Sequence, residues 1–319
     1  MNLNKKLNLQ IADDKKEARE GFGIGLIEAA IDNRVVALTA DLAPSVKMDD
    51  FKKQFPKRYF DVGVAEQNLV TVAAGLAHIG KIPFVSAFGA FMPGRCWEQI
   101  RTAICYNQEK VNIVASHCGI SVGPDGATHQ VLEDIAMMRS LPNMVVVSPC
   151  DFSQAKLATK AMAKDIRACY MRYGRGKIPQ ITTQSTDFEI GKAQIFQDGA
   201  DVAIIACGAC VYDALAATDL LKGKISVRVI NMHTIKPIDI KAIVDASKQC
   251  GKIITVEDHQ IAGGLGSAVC EVVARHAPCK VFRLGVNDMF GESGSSDELF
   301  AKHGINAEGI AKAVKQITK

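Results

Sequence analysis

The sequence predicts an α/β protein built from two doubly wound domains whose sheets are mostly parallel. Helical and strand patterns alternate along most of the 319 residues. The predicted strands are short and almost wholly apolar, as expected for parallel strands covered by helices on both faces. Residues 174–199 are irregular and polar, so we predict domains over 1–180 and 196–319 joined by a linker at 181–195, part of which pairs as strands.

The first predicted domain alternates helices and strands in chain order. Its helical segments repeat apolar residues every three to four positions, whereas its strands are continuous apolar runs. The predicted order is helix 17–31, strand 35–40, helix 68–80, strand 82–88, helix 94–106, strand 111–116, helix 131–139, strand 144–149, helix 153–163 and strand 168–173.

The second predicted domain repeats the same pattern after the polar stretch. Helices such as 212–221 and 265–276 separate apolar runs that we predict to be strands. The strands are expected at 201–207, 225–231, 251–258 and 279–285.

Composition excludes several classes of protein. No apolar run approaches the ~20 residues of a membrane span, and the N-terminal lysines precede no apolar segment typical of a secretory signal. The net charge of +4 comes from 38 basic and 34 acidic residues without a dense basic block, so we expect no nucleic-acid partner and no membrane partner. These features favour a cytoplasmic protein.

The ten cysteines show no disulfide-framework spacing, and many lie in apolar segments. We therefore interpret them as reduced. Cys207 and Cys210 form a C-x-x-C pair, but no second pair or neighbouring histidine supports zinc, so buried thiols are the better interpretation.

Glycine clusters do not indicate a nucleotide site. GFGIG at 21–25 lies inside a helical pattern and lacks the strand, turn and helix of a dinucleotide fingerprint. GGLG at 263–266 is better explained by helix entry, and no P-loop motif occurs.

Glu66, Phe88 and Phe91 are candidate site residues. Glu66 is predicted to begin a helix whose next two turns, LVTVAAGLA, are almost wholly apolar, and a carboxyl beside such a wall has a raised pKa. The alternative is a first-turn glutamate stabilised by the helix dipole. Phe88 and Phe91 occur where an apolar strand meets a glycine-containing turn, which suits stacking on a flat ring, although core packing is the simpler explanation.

The segment SHCGISVGPDGATHQ carries His117, Asp125 and His129 just after the strand VNIVAS. Open parallel sheets bind ligands at this edge. Two histidines and an aspartate can supply three metal ligands, and the same groups can bind the separate hydroxyls of a polyol. The residues alone leave both interpretations open.

Together these segments resemble the C-terminal half of transketolase, a thiamine-diphosphate enzyme. The resemblance runs from about Arg19 to the C-terminus and rests mainly on DVGVAEQN, FVSAFGAF and the histidine segment, with VEDHQIAGGLGSAV weaker. It implies a pyrimidine-binding domain followed by a transketolase C-terminal domain.

The resemblance also implies a role for each candidate residue. Cofactor-binding residues would be Glu66 at the pyrimidine N1′, Phe88 and Phe91 against its ring, and Asp41. The residues that contact the ketose hydroxyls would be His117, Asp125 and His129, with both histidines also moving protons. The phosphate end would be held by Arg19, Ser45 and Arg175, with Arg172 as a nearby candidate. Some family members carry an aromatic residue where this chain has Gly94.

The implied reaction is the transfer of a two-carbon ketol unit from a ketose phosphate to an aldose phosphate through an adduct on thiamine diphosphate. A protonated Glu66 would favour the imino tautomer of the pyrimidine, whose nitrogen removes the thiazolium proton. The expected setting is cytoplasmic pentose phosphate metabolism.

The resemblance further implies a split enzyme. The family's GDG motif, which holds the diphosphate and its metal, is not found in this sequence. We therefore expect an N-terminal transketolase subunit as partner, holding the diphosphate with Mg²⁺ or Ca²⁺, in a heterotetramer of two plus two copies. The docking face is expected to be apolar because a long apolar helix follows Glu66.

Three other functions remain as alternatives. Two are the beta subunit of a 2-oxoacid dehydrogenase and a fragment of deoxyxylulose-phosphate synthase. The histidine segment disfavours both, because a 2-oxoacid has no run of hydroxyls to contact. The third is a non-catalytic regulatory subunit, which the presence of all the candidate residues argues against.

Overall fold

The computed structural model describes Leu3 and residues 14–319, and helices and strands alternate along most of this part of the chain. The strands are β1 (Lys15–Glu17), β2 (Val35–Thr39), β3 (Tyr59–Asp61), β4 (Ile82–Phe88), β5 (Asn112–Ser116), β6 (Met144–Val147), β7 (Ala168–Arg172), β8 (Lys177–Pro179), β9 (Gln194–Gln197), β10 (Val202–Ala206), β11 (Val227–Asn231), β12 (Thr234–Lys236), β13 (Lys252–Gln260) and β14 (Lys280–Val286).

The helices pack on both faces of the sheets. They are α1 (Ala18–Ala29), α2 (Asp49–Gln54), α3 (Glu66–His78), α4 (Trp97–Gln99), which continues as a π-helix (Ile100–Tyr106), α5 (Asp134–Ser140), α6 (Phe152–Lys164), α7 (Cys210–Leu221), α8 (Ile240–Cys250), α9 (Leu265–His276), α10 (Ser296–Lys302) and α11 (Ala307–Thr318). Short 3₁₀ turns occur at Pro56–Arg58, Gly94–Cys96 and Ile120–Asp125.

The larger sheet has seven strands in the order β12, β6, β7, β5, β4, β2, β3. Strands β2 to β7 pair in parallel, and their residues are buried except at the β3 edge and at Phe88, the last residue of β4. Burial on both faces explains why these strands read as continuous apolar runs.

The smaller sheet has five strands in the order β14, β13, β10, β11, β9. Strand β9 begins within the predicted linker and pairs antiparallel with β11, while the other pairings are parallel. The predicted α/β class, with two mostly parallel sheets, is therefore confirmed.

One strand crosses between the two halves of the chain. β12 follows β11 in sequence but pairs antiparallel with β6, at the edge of the seven-stranded sheet. Its three residues are too few for a periodic pattern, and the sequence analysis did not predict it.

The GFGIG cluster has a packing role in α1. A Cβ at Gly21 would lie 2.1 Å from the backbone oxygen of Phe152, and one at Gly25 would lie 2.9 Å from that of Lys156. These distances are below any normal contact, so the glycines allow α1 to press against α6. Among the residues described, none of the helices is long and apolar enough to cross a bilayer.

Candidate active site

The register of the large sheet brings the candidate residues together. Phe88, the last residue of β4, pairs with Ser116, the last residue of β5. His117 follows directly, and its ring stacks on Phe88 with centroids 4.0 Å apart and planes 30° apart. The site therefore forms where two neighbouring parallel strands end, as expected for this sheet type.

A row of rings extends from this point. Phe88 stacks on Phe91 at 5.9 Å with planes 24° apart, and Phe91 meets the His129 ring edge-on at 5.5 Å. Both phenylalanines are partly exposed, unlike the fully buried core residue Phe84. The row presents aromatic surface to solvent and places the two histidines on different phenylalanines.

His117 is held in a strained and desolvated position. Its φ of 59° is uncommon for a residue with a side chain and costs on the order of 1–3 kcal/mol. Its Nδ1 lies 2.8 Å from Ser116 Oγ. Burial, followed by the nearby charges of Arg19 and Arg175, lowers the pKa of His117 to about 4. The ring is thus neutral at pH 7 and offers one donor and one acceptor.

Glu66 is the first residue of α3, and only 4% of its surface is exposed. Arg95 Nη1 donates to Glu66 Oε2 at 2.9 Å. The carboxyl was expected beside the apolar residues of its own helix, but the contact that the structure describes for it is an ion pair with the Arg95 guanidinium. The apolar residues of α3 turn inward instead, which places Leu69, Val70, Ala73 and Ala74 in the core.

Arg95 links Glu66 to the aromatic row. Its guanidinium carbon lies 5.0 Å from the Phe91 ring centre, while about half of the side chain is exposed. Arg95 is not among the site residues predicted from the sequence. The sequence feature that could have pointed to Arg95 is the neighbouring Gly94, where the chain departs from the pattern of the family that it resembles.

Two of the three arginines expected at an anionic end, Arg19 and Arg175, line one surface cavity, with Glu17, Ser121 and Pro124 among its other residues. Arg19 donates to both carboxylate oxygens of Glu17 and to the backbone carbonyl of Ser45. Arg175 Nη1 lies 3.2 Å from Asp125 Oδ1. The contact described for Ser45 uses its carbonyl oxygen, so binding of a ligand by its hydroxyl stays a prediction.

Glu17 holds Arg19 and also lies near Lys47, with Nζ 3.4 Å from its Oε2. Partial burial alone would raise the pKa of Glu17, but Arg19 and Lys47 together hold that pKa below its ordinary value. Glu17 therefore stays ionised and holds the Arg19 guanidinium at the cavity.

Arg172 and Asp41 lie apart from these contacts. Arg172 is almost fully buried, and it donates to Asp134 Oδ2 and to the Asp258 carbonyl. Its guanidinium is engaged in the interior, so the structure does not support it as a phosphate ligand. Asp41 is exposed and bonds through its N–H to Asp61, with no described contact to the aromatic row.

Within Leu3 and residues 14–319, no three or more His, Cys, Asp or Glu side chains are arranged to hold a metal ion. Cys207 and Cys210 are both buried, and burial raises the pKa of Cys207 to about 12. A thiol in that state is a poor nucleophile and a poor metal ligand.

The chain is similar to known proteins over most of its length. Two family models match the chain: "Transketolase, pyrimidine binding domain" at residues 18–180 and "Transketolase, C-terminal domain" at residues 191–310. A "Putative transketolase C-terminal section" of Methanocaldococcus jannaschii is 46% identical over 95% of this chain and 97% of its own length.

A second relative and a solved structure are also similar over nearly full length. An apulose-4-phosphate transketolase subunit of Phocaeicola vulgatus is 39% identical, covering 97% of this chain and 100% of the relative. The structure described as "Split gene transketolase, inactive beta4 tetramer" is 41% identical with a TM-score of 0.89, covering 95% of this chain and 98% of its own. Since both family models and near-full-length relatives match, the chain belongs to the transketolase family, with split transketolase subunits among its relatives.

Proposed function

We propose that this chain is the C-terminal subunit of a split transketolase, transferring a two-carbon ketol unit from a ketose phosphate to an aldose phosphate. The observation that carries the proposal is the continuous series of contacts from Glu66 through Arg95 and the aromatic row to His117. The Glu66 carboxyl group lies at one end of this series, and the His117 imidazole, which can bind a hydroxyl group, lies at the other.

The residues present fit the pyrimidine end of thiamine diphosphate. Phe88 and Phe91 offer near-parallel aromatic faces. Glu66 offers a carboxyl oxygen, and Arg95, which contacts both Glu66 and the Phe91 ring, connects it to these faces. A flat heteroaromatic ring is stabilised by such faces. When bound, the cofactor supplies a nucleophilic carbon and an electron sink that amino-acid side chains lack.

Each side chain then has one task. Glu66 would bind the pyrimidine nitrogen and exchange a proton with it. The rings of His117 and His129 would bind ketose hydroxyls, accept a proton from one and return it to another. Asp125, already bonded to Arg175, would accept a hydrogen bond from a hydroxyl of one configuration.

The anionic end of the substrate would lie at Arg19 and Arg175. Guanidinium groups offer forked donors that suit phosphate, and the charges of both side chains disfavour the protonated form of His117. The name of the Phocaeicola relative also includes a sugar phosphate. We place this activity in cytoplasmic pentose phosphate metabolism.

The partner in this proposal is an N-terminal transketolase subunit that holds the diphosphate and its Mg²⁺ or Ca²⁺. The relatives named as a C-terminal section and as one subunit of a transketolase support a divided enzyme, and the inactive beta4 tetramer supports the need for a second subunit. We propose a heterotetramer of two plus two copies. The domains would divide at residues 181–195, a range that begins directly after the first family match and overlaps the first five residues of the second.

The sugar role of the histidine segment is tested by alanine variants in the enzyme assembled with its partner. We expect His117→Ala, Asp125→Ala and His129→Ala each to lower kcat/KM for a ketose phosphate about tenfold or more, through lost hydrogen bonds to hydroxyls. Cofactor affinity and bound-metal content should stay unchanged. Exposed His276→Ala on α9 is the matched control.

Two results would reject this assignment. Loss of stoichiometric zinc in all three variants would establish a metal site instead of a sugar site. Turnover of a 2-oxoacid by the parent enzyme, with no turnover of ketose phosphates, would favour the dehydrogenase alternative.

Arg95 is expected to compete with the pyrimidine for Glu66. Because Arg95 is about half exposed, its ion pair with Glu66 contributes up to about 1 kcal/mol, so Arg95→Gln should tighten thiamine diphosphate binding by at most about fivefold. Calorimetry on the assembled enzyme measures this, with exposed Arg101→Gln as control. Weaker binding by Arg95→Gln alone would show that the guanidinium supports the cofactor.

A further inference from the structure

The segment that carries both histidines rests on the second half of the chain. Ile120 N–H donates to Asp258 Oδ1 at 2.8 Å, across 138 positions of sequence. Asp258 lies near the end of β13 and is 6% exposed. A residue of the C-terminal half therefore caps the 3₁₀ turn that begins three residues after His117.

Gly119 makes this approach possible. Its φ of +80° is a conformation that residues with side chains rarely adopt. A Cβ there would lie 2.0 Å from Asp258 Oδ2, far inside a normal contact. The absence of a side chain at Gly119 therefore leaves the space that the Asp258 carboxylate occupies.

A second contact holds the other end of the segment. Gln130, beside His129, donates through Nε2 to the backbone oxygens of Gly123 and Glu292 at 3.1 and 2.9 Å. Gln260 N–H also donates to the Leu132 carbonyl at 2.9 Å. Residues 258–292 therefore contact the segment on both sides of Asp125.

We propose that Asp258 is a positioning residue for the sugar-binding segment: its carboxylate fixes the Gly119–Ile120 turn and thereby the position of His117. The kinetic consequence rests on the proposed function. The structural consequence does not rest on that function, because it concerns only how well the conformation of residues 117–131 is held.

The neighbouring Glu257 provides a matched control. It is buried like Asp258, but successive strand residues point to opposite faces. Its carboxylate accepts from the N–H groups of Leu265 and Gly266 at 2.6 and 2.8 Å, at the start of α9. Its substitution therefore also removes buried hydrogen bonds to backbone N–H groups, without touching the sugar-binding segment.

The experiment compares Asp258→Ala, Asp258→Asn and Glu257→Ala in the enzyme assembled with its partner. Hydrogen exchange of residues 117–131 reports the turn directly, and KM for a ketose phosphate reports its use. We expect Asp258→Ala to speed exchange at Ile120 and to raise KM about tenfold. Thiamine diphosphate affinity should remain within about twofold of the parent. Asp258→Asn retains an acceptor oxygen and should recover most of both properties.

Glu257→Ala should lower Tm without either change. Unchanged exchange at Ile120 in Asp258→Ala, or an equal rise in KM for Glu257→Ala, would overturn the proposal. If Asp258→Ala does not assemble, Asp258→Asn and Glu257→Gln decide: an amide oxygen accepts more weakly than a carboxylate, so exchange at Ile120 should be slightly faster in Asp258→Asn than in Glu257→Gln, and equal exchange in both would overturn the proposal. A parent enzyme that uses no ketose would refute the proposed function, and the exchange result would still decide the role of Asp258.

Discussion

Glu66→Gln should slow turnover by roughly a hundredfold or more, the scale of a lost acid-base group. The carboxyl sits at the first residue of α3 and is almost completely buried beside the aromatic row. An amide has the same shape but cannot exchange the proton that the pyrimidine nitrogen requires. Turnover at saturating thiamine diphosphate measures the loss, because a deficit of cofactor binding alone would disappear there.

The fold of this variant should remain intact. Arg95 is about half exposed, so it can remain hydrated once its partner is neutral. Far-UV circular dichroism and Tm check this, and exposed Glu98→Gln on α4 controls for the loss of one charge. Near-parental turnover of Glu66→Gln at saturating cofactor would remove Glu66 from the catalytic residues.

The isolated chain should bind thiamine diphosphate weakly and should not cleave ketoses, whereas the mixture with its N-terminal partner should do both. A diphosphate carries about three negative charges that a divalent cation must offset. The candidate residues near Glu66 are suited to the other end of the cofactor, its pyrimidine ring, so the partner is needed to hold the diphosphate end. Calorimetry with cofactor and Mg²⁺, followed by a ketose assay, measures both properties for each preparation.

The matched preparation is the same chain mixed with its partner, sized by light scattering to test for two plus two copies. Tight cofactor binding together with ketose cleavage by the isolated chain would refute the divided site.

The expected apolar docking face is not provided by α3, whose exposed positions include Gln67, Asn68 and Thr71. The exposed Val64, two residues before Glu66, remains a candidate contact.

The fold class was predictable because buried parallel strands leave a strong local pattern. Runs such as VVALTA and VNIVAS are dominated by apolar residues, since helices cover both faces of the sheet. The proximity of Phe88 and His117 was predictable in outline, because Phe88 ends one strand, His117 follows another, and the two strands end at one edge of the sheet.

The contacts that the sequence did not predict are those between distant segments. Arg95 reaches Glu66 across 29 positions, and Asp258 reaches Ile120 across 138. No local periodicity encodes such pairs. β12 escaped prediction for a related reason, since its three residues form a strand only because the β6 edge is there to receive them.

The position of β12 also has a consequence for folding during synthesis. Strand β6 is complete after residue 147, but the strand that covers its open edge begins at Thr234. At translation rates of about 5–20 residues per second, that edge stays unpaired for on the order of ten seconds on the ribosome. An unpaired edge in a nascent chain is a site where two neighbouring chains can pair wrongly. A ribosome that translates this message slowly therefore leaves the β6 edge unpaired for longer, and ribosomes in close succession bring two such edges together. A chaperone that shields the edge would raise the yield of folded protein.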